Sequence, residues 1–168
     1  MRRLLILAVL LVLALSGLIG CASGNGEGPR TGSKAPNFTL TRLDGQKVTL
    51  SALKGKPILL NFWTTTCPSC RLEMPYLQMA YDEWTGKGLV LFAIDIGEDP
   101  GTIKEFLTRY NLTLPVLLDT NQEVAGKYNV EFIPATYFID RDGIIQARVV
   151  GAFPSKGAID RYIQNLMK

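Results

Sequence analysis

Two patterns of apolar residues alternate along the chain from about residue 34 onward. Runs that are almost wholly apolar, such as PILLNFW at 57–63 and LVLFAID at 89–95, are typical of strands buried on both faces of a sheet. Other segments carry apolar residues three and four positions apart, which predicts amphipathic helices. The first of these helices begins near Cys67, and its predicted apolar face consists of Leu77, Ala80, Tyr81 and Trp84.

Turn signals and helix caps complete the set of elements. The short strands around Asp44-Gly45 and around Arg141-Asp142-Gly143 are predicted to form one early and one late β-hairpin. Asp99 and Ser155 are each predicted to cap a helix. The predicted apolar faces of these helices are Ile103, Phe106, Leu107 and Tyr110 in the first and Ile159, Tyr162, Ile163 and Leu166 in the second. With a strand at 116–119 and a short helix at 122–128, we predict an α/β fold whose central mixed β-sheet is flanked by helices.

The first twenty residues do not fit this domain. Two arginines near the start precede a long apolar run that ends in LIGC at 18–21. This layout is typical of a secretory signal peptide, and its end resembles the lipobox of bacterial lipoproteins, in which the signal is cut before the cysteine and that cysteine carries lipid. We therefore predict a lipoprotein signal peptide over 1–20, lipidation of Cys21 and an extracytoplasmic, membrane-anchored domain. An uncleaved membrane-spanning helix is the alternative, since such a helix needs roughly 20 apolar residues.

Residues 21–33 are polar, rich in glycine and without periodicity, which predicts a flexible tether before a domain at 34–168. The chain has 168 residues, 47% of them hydrophobic, which suits one domain with a core. Without Arg2 and Arg3, 16 of the 18 basic residues remain against 15 acidic ones, a net charge of +1. Because there is also no basic stripe, we do not expect nucleic-acid binding. No exposed apolar stripe is evident either, so we expect a monomer.

Cys67 and Cys70 stand in the segment FWTTTCPSC, at the predicted junction of a strand and a helix. Residues three apart at a helix start lie on one face, so the two sulfurs can meet. A disulfide closing so short a loop gains little from loop entropy, which argues against a purely structural role. A zinc site needs four ligands, and the chain has no histidine and no second cysteine pair. We therefore favour a redox-active disulfide with no other cofactor and no metal.

The positions of Cys67 and Cys70 in the helix predict different roles for the two sulfurs. Free N–H groups and the helix dipole stabilise a thiolate at Cys67, so this sulfur is expected to attack a partner and form a mixed disulfide. Cys70, one turn further, is expected to be more buried and to resolve that intermediate. Pro68 fits the first turn, where its missing N–H is not needed.

The segment FWTTTCPSC followed by EMP, together with EFIPATYFID later in the chain, resembles the thioredoxin-like superfamily. The chain is most similar to the membrane-anchored TlpA/ResA-type thiol–disulfide oxidoreductases, and its opening also resembles peroxiredoxins. The resemblance covers 35–168 and implies a thioredoxin-like fold with an N-terminal β-hairpin and an inserted helix and strand. It further implies a cis bond before Pro134 and a backbone at Ile133 that pairs with a partner's extended chain. The expected substrate contacts are Trp63, Pro68, Ser69, Ile133 and Pro134.

Two features depart from this pattern, one at Asn61 and one at the pair Pro68-Ser69. Asn61 stands where thioredoxin itself has a buried aspartate, and we interpret it as a hydrogen-bonded core amide. The pair Pro68-Ser69 resembles the DsbA-type oxidants, which leaves the direction of electron flow open. Glu73 is interpreted as a solvated helix carboxylate, with a role in proton transfer as the alternative.

The resemblance implies disulfide exchange with protein thiols or disulfides, with an electron donor in the membrane. A reductant for the haem-site cysteines of apocytochrome c is one such enzyme, and a DsbA-like oxidant is another. A peroxiredoxin-like peroxidase is the alternative antioxidant function. In its P-x-x-x-T-x-x-C frame Thr64 matches, but Leu60 replaces the proline and no arginine is evident. A redox-inert, tethered binding module is the third hypothesis.

Overall fold

The computed structural model describes residues 29–168, so the predicted signal peptide, Cys21 and most of the predicted tether lie outside the described residues. The strands are β1 (Thr39–Arg42), β2 (Lys47–Thr49), β3 (Ile58–Trp63), β4 (Val90–Ile96), β5 (Val116–Asp119), β6 (Ala135–Ile139) and β7 (Ile145–Val150). The α-helices are α1 (Pro68–Trp84), α2 (Pro100–Arg109), α3 (Glu123–Lys127) and α4 (Lys156–Met167). Within residues 29–168, no helix is both long enough and apolar enough to cross a membrane.

All strands belong to one seven-stranded sheet with the order β2-β1-β5-β4-β3-β6-β7. The central strands β3, β4 and β5 are parallel, whereas β1 and β6 pair antiparallel with β5 and β3. Both predicted hairpins are present, as β1–β2 and β6–β7. The mixed sheet is confirmed, and the segment formed by α2 and β5 places β5 between β1 and β4.

Strand β3 lies at the centre of the core, and all six of its residues are buried. Because side chains alternate along a strand, Leu59 and Trp63 face one side of the sheet while Leu60 and Phe62 face the other. The first side is covered by α1, α2 and α4, and the second by α3 and the N-terminal segment. This double coverage explains why β3 and β4 are apolar almost throughout.

The predicted caps of two helices are confirmed. Asp99 Oδ1 accepts the N–H groups of Gly101 and Thr102 at 2.9 and 3.1 Å, and Ser155 Oγ accepts the N–H of Ala158 at 3.3 Å. The buried faces are narrower than the sequence predicts, since Tyr110 and Tyr162 are exposed at their edges. Both rings still pack on a core ring, with centroids 4.6 Å from Phe106 and 4.8 Å from Phe138 respectively.

The end of the predicted tether is part of the folded domain. The Gly32 N–H donates to the carbonyl of Ile145 at 2.7 Å, and the Ala35 N–H donates to that of Gly143 at 2.9 Å. These bonds attach the segment beside the β6–β7 hairpin. The sequence does not indicate these contacts, because polar and glycine-rich composition alone does not show which backbone groups are bonded.

Candidate active site

The loop after β3 and the first turn of α1 bring the two cysteines together. Cys67 is the N-cap of α1, and a disulfide joins it to Cys70 with a Cα–Cα distance of 5.3 Å. Cys67 is partly exposed, whereas Cys70 is completely buried. The predicted meeting of the two sulfurs and their predicted difference in burial are both present.

The sulfur of Cys67 lies among hydrogen-bond donors. The Cys70 N–H points to Cys67 Sγ at 3.2 Å, and the Ser69 hydroxyl lies 3.3 Å from the same atom. Both groups belong to the first turn of α1, where backbone N–H groups have no partner within the helix. These donors would stabilise negative charge on Cys67 after the disulfide is reduced. Pro68 is exposed at the same turn, beside the disulfide.

A second loop places backbone beside this sulfur. The Ile133–Pro134 peptide bond is cis, as the resemblance implies, and Cys67 Sγ lies 3.8 Å from the carbonyl oxygen of Ile133. Pro134 is buried and Ile133 is partly exposed. Phe132, which the sequence interpretation did not single out, is 69% exposed next to this loop. Its apolar side chain directly before the IPAT motif was the available signal.

Trp63 does not fit the expected role in substrate contact. Its side chain is completely buried, and its ring packs on Phe106 with centroids 5.2 Å apart. It is the last residue of β3 and faces the side covered by the helices, so it supports the start of the cysteine loop from within. The prediction was wrong because sequence proximity to Cys67 does not give the direction of a side chain.

The interpretation of Glu73 as a solvated carboxylate is also wrong. Glu73 is completely buried, its Oε1 accepts a bond from Asn61 Nδ2 at 2.8 Å, and its Oε2 accepts the Phe153 N–H at 2.9 Å. Burial raises the pKa of Glu73 from 4.5 to about 7, against the opposing effect of these two hydrogen bonds. Asn61 also donates to Thr136 Oγ1 at 3.0 Å, so it is the hydrogen-bonded core amide that the sequence predicts.

Comparison with known proteins identifies the family. Residues 31–148 match the model of the AhpC/TSA family. The chain belongs to this family. It is 35% identical over 170 residues to the thiol-disulfide oxidoreductase ResA of Bacillus anthracis, covering 98% of each protein. It is 36% identical over 137 residues to ResA of Bacillus subtilis, covering 82% of this chain and 75% of that one.

A solved structure gives the same result for the fold of this AhpC/TSA-family chain. The structure of a putative thiol:disulfide interchange protein DsbE from Chlorobium tepidum superposes with a TM-score of 0.77 and 28% identity, over 83% of this chain and 99% of that one. The thioredoxin-like fold is therefore confirmed, as is the resemblance to ResA-type proteins. With its disulfide at the start of α1, this AhpC/TSA-family protein is a thiol–disulfide oxidoreductase.

The geometry of the site in this AhpC/TSA-family protein does not support the peroxidase alternative. Leu60, at the position of the peroxidase proline, is completely buried within β3. The Thr64 hydroxyl lies 3.3 Å from that of Thr66, whereas Cys67 Sγ has polar contacts with Ser69, Cys70 and the carbonyl oxygen of Ile133. Within residues 29–168, no three potential metal ligands of the His, Cys, Asp or Glu type come together.

Proposed function

We propose that this oxidoreductase is a lipid-anchored reductant that acts outside the cytoplasm on cysteine pairs of exported proteins. The observation that carries the proposal is the unequal environment of the two sulfurs. Cys67 is partly exposed beside the Ile133 carbonyl, whereas Cys70 is buried one helical turn before the buried carboxyl group of Glu73. The Cys67 sulfur can therefore react with a partner, while the Cys70 sulfur stays buried until the second step.

In the forward reaction the Cys67 thiolate attacks one sulfur of the partner's disulfide. A Cys67–partner disulfide forms, and the second partner sulfur leaves as a thiolate that takes a proton from solvent. Cys70 then loses its proton and attacks Cys67 Sγ. The remaining partner sulfur leaves as a thiolate, so the partner gains two thiols while Cys67 and Cys70 become the disulfide. A membrane electron donor would return the pair to the dithiol form.

Glu73 is the group that would take the proton from Cys70. It lies three residues after Cys70 on the same buried side of α1, and burial raises its pKa to about 7. A general base works best when its pKa lies near the working pH, because it is then both available and able to accept the proton. We therefore assign Glu73 the role in proton transfer that the sequence offered as an alternative.

A partner would dock as an extended chain across the Ile133 loop. The carbonyl of Ile133 lies 3.8 Å from Cys67 Sγ, so a segment that pairs with this backbone would bring its own cysteine to the attacking sulfur. Exposed Phe132 and exposed Pro68 supply apolar surface on either side. These contacts select accessible, extended cysteine-containing segments rather than buried disulfides.

The haem-attachment segment of apocytochrome c has the chemistry of such a partner. Its C-x-x-C-H motif carries two cysteines that must both be reduced before haem is attached, in a compartment that favours disulfides. We therefore propose this segment as the substrate. Similarity to ResA proteins supports the disulfide chemistry of this proposal.

The proposal is tested with an oxidised peptide that carries the C-x-x-C-H motif. We expect the reduced protein to reduce this peptide faster than it reduces a peptide of the same composition whose cysteines are separated by ten residues. The Cys67→Ser variant is the control and should reduce neither peptide. Equal rates for both peptides would rule out the apocytochrome segment as the substrate. Rates no higher than those of glutathione alone would rule out the reductant function.

One observation favours the opposite direction of electron flow. The Cys70 N–H and the Ser69 hydroxyl both lie within hydrogen-bonding distance of Cys67 Sγ, and donors that stabilise a thiolate make the reduced form easier to reach. A protein with this property would give disulfides to its partners, as DsbA does. The second candidate function is therefore a DsbA-like oxidant, and the reduction potential separates it from the first.

A further inference from the structure

A glutamate on the neighbouring strand's loop holds the segment that leads to Cys67. Glu98 follows β4, and its two carboxylate oxygens accept bonds from the backbone N–H of Thr65 at 2.6 Å and from the Thr65 hydroxyl at 2.7 Å. Thr65 is only 8% exposed and lies two residues before Cys67. One side chain thus fixes both the backbone and the side chain of the cysteine loop.

Behind Glu98 lies a second carboxyl group, on Asp95 at the end of β4. Asp95 is 1% exposed, and its Oδ1 accepts the Glu98 N–H at 3.0 Å. Its Oδ2 accepts no hydrogen bond from residues 29–168, and the side chain within hydrogen-bonding reach of the Asp95 carboxyl group is that of Glu98. A buried carboxylate oxygen without a partner is costly, but a protonated oxygen there can donate to the neighbouring carboxylate.

The surroundings of Asp95 favour the protonated form. The titratable groups that act on it are Glu98 and, from β5, Asp119, both of which are acidic. Burial and the neighbouring carboxyl of Glu98 together raise the pKa of Asp95 from 3.8 to about 8.

The other charged groups near this loop are accounted for as well. In register, Asp95 lies beside Trp63 on β3 and Leu118 on β5, which are uncharged. The cleft that Thr65 lines contains three charged side chains from α1 and α2, namely Arg71, Glu105 and Arg109. Asp119 itself accepts the N–H groups of Val124 and Ala125, so its charge is engaged at the start of α3.

We propose that Asp95 and Glu98 are positioning residues for Cys67, in which protonated Asp95 donates to Glu98 and Glu98 holds the Thr65 loop. When Asp95 releases its proton to solvent at alkaline pH, two adjacent carboxylates repel each other and the hold on Thr65 weakens. Cys67 then loses its alignment with the α1 N-terminus and with Ile133. This inference rests on disulfide exchange at Cys67 and holds for either direction of electron flow.

The experiment compares exchange rates across pH in matched variants. Asp95→Asn keeps both bonds, because its amide oxygen can accept the Glu98 N–H and its NH₂ group can donate to the Glu98 carboxylate. Asp95→Ala removes both. We measure the rate of exchange with an oxidised peptide from pH 6 to 10, and the alkylation rate of Cys67 in the same samples, for these variants and the unchanged protein.

We expect Asp95→Asn to match the unchanged protein at pH 7 and to exceed it severalfold above pH 9, because it cannot become an anion. Asp95→Ala should be about tenfold slower than the unchanged protein at pH 7. The inference is overturned if Asp95→Asn and the unchanged protein keep a constant rate ratio across the pH range, or if Asp95→Ala exchanges at the full rate at pH 7.

Two further measurements keep the test decisive if Asp95→Ala does not fold. Glu98→Ala changes a partly exposed residue and removes both acceptors of the two Thr65 donors, so we expect severalfold slower exchange at pH 7. A full exchange rate in this variant would overturn the role of Glu98. Carbon-13 NMR of the Asp95 carboxyl reports its proton directly. Titration near pH 8 supports the shared proton, and complete ionisation below pH 6 contradicts it.

Discussion

At the scale of single residues, the exposure of the two sulfurs assigns them different steps. Cys67 is partly exposed and Cys70 is completely buried, so a partner can reach only the first. We expect Cys67→Ser to abolish exchange and Cys70→Ser to accumulate a mixed disulfide with the partner, because nothing then resolves it. Mass spectrometry of alkylated samples identifies the bonded cysteine. A mixed disulfide that forms on Cys70 in Cys67→Ser would contradict this assignment.

Glu73 gives stability a defined dependence on pH. Its pKa is raised from 4.5 to about 7, so between these values the folded protein keeps a proton that the unfolded chain releases. The free energy of unfolding therefore falls as the pH rises through this window, by on the order of 3 kcal/mol. We expect Glu73→Gln to lose much less stability between pH 5 and 8 in urea titrations. Equal losses in both proteins would contradict the buried, proton-holding Glu73.

The predictions for Glu73 and Trp63 were wrong for the same physical reason. The spacing of Cys67 and Cys70 is local, so a helix start suffices to predict their meeting. The environment of Glu73 depends on Asn61 and on the backbone of Phe153, which is 80 positions away in the chain. The packing of Trp63 depends on Phe106 of α2. Contacts between distant segments are what a single sequence leaves undetermined.

At the scale of elements, the cap of α2 links helix stability to the active-site loop. Asp99 caps this helix and directly follows Glu98, which holds Thr65. We expect Asp99→Ala to lower the free energy of unfolding by about 1 kcal/mol and to slow exchange, because the loop between β4 and α2 loosens.

The cap of α4 provides the matched control for this prediction. Ser155→Ala removes the N-cap of α4, and this loss should lower the free energy of unfolding by a similar amount. The side-chain hydrogen bonds of Thr65 go to Glu98 and not to α4. We expect this variant to exchange at the full rate. Urea unfolding and exchange assays on both variants check this, and equal slowing in the two would show that the effect on exchange reflects general destabilisation.

Most elements could be placed from sequence because their ends carry local signals. Strand β5 agrees with its predicted bounds, and the caps Asp99 and Ser155 begin their helices as expected. The helix faces were predicted too broadly, since Tyr110 and Tyr162 keep one side in solvent while each packs on a core ring. Periodicity shows which side of a helix is apolar but not where the covered surface ends.

At the scale of the whole molecule, the sheet order required more than hydrophobic patterns. Strand β5 lies between β1 and β4, so the sheet joins segments that are distant in sequence. A different strand order built from the same alternating helices and strands would have the same hydrophobic pattern. The thioredoxin-like arrangement was obtained from resemblance, through the C-x-x-C segment and the IPAT motif. Local chemistry thus predicted the site's nucleophile, while its buried carboxyl groups became visible only in the assembled fold.

The predicted lipid anchor concerns the whole protein and its location. We expect cells fed labelled palmitate to incorporate label into the unchanged protein but not into Cys21→Ser, since the motif at 18–21 presents that cysteine for lipidation. Membrane fractions from the same cells provide the second readout. If Cys21→Ser stays fully in the membrane and the unchanged protein carries no label, the uncleaved helical anchor is the correct alternative.

The reduction potential of the Cys67–Cys70 pair tests the proposed reductant function most directly. The purified protein is equilibrated in dithiothreitol or glutathione buffers of known potential, and the fraction of disulfide is measured after alkylation of the free thiols. The proposed reductant function predicts a value close to or below that of thioredoxin, about −270 mV. A value close to that of DsbA, about −120 mV, would contradict it and would make the protein an oxidant of exported proteins.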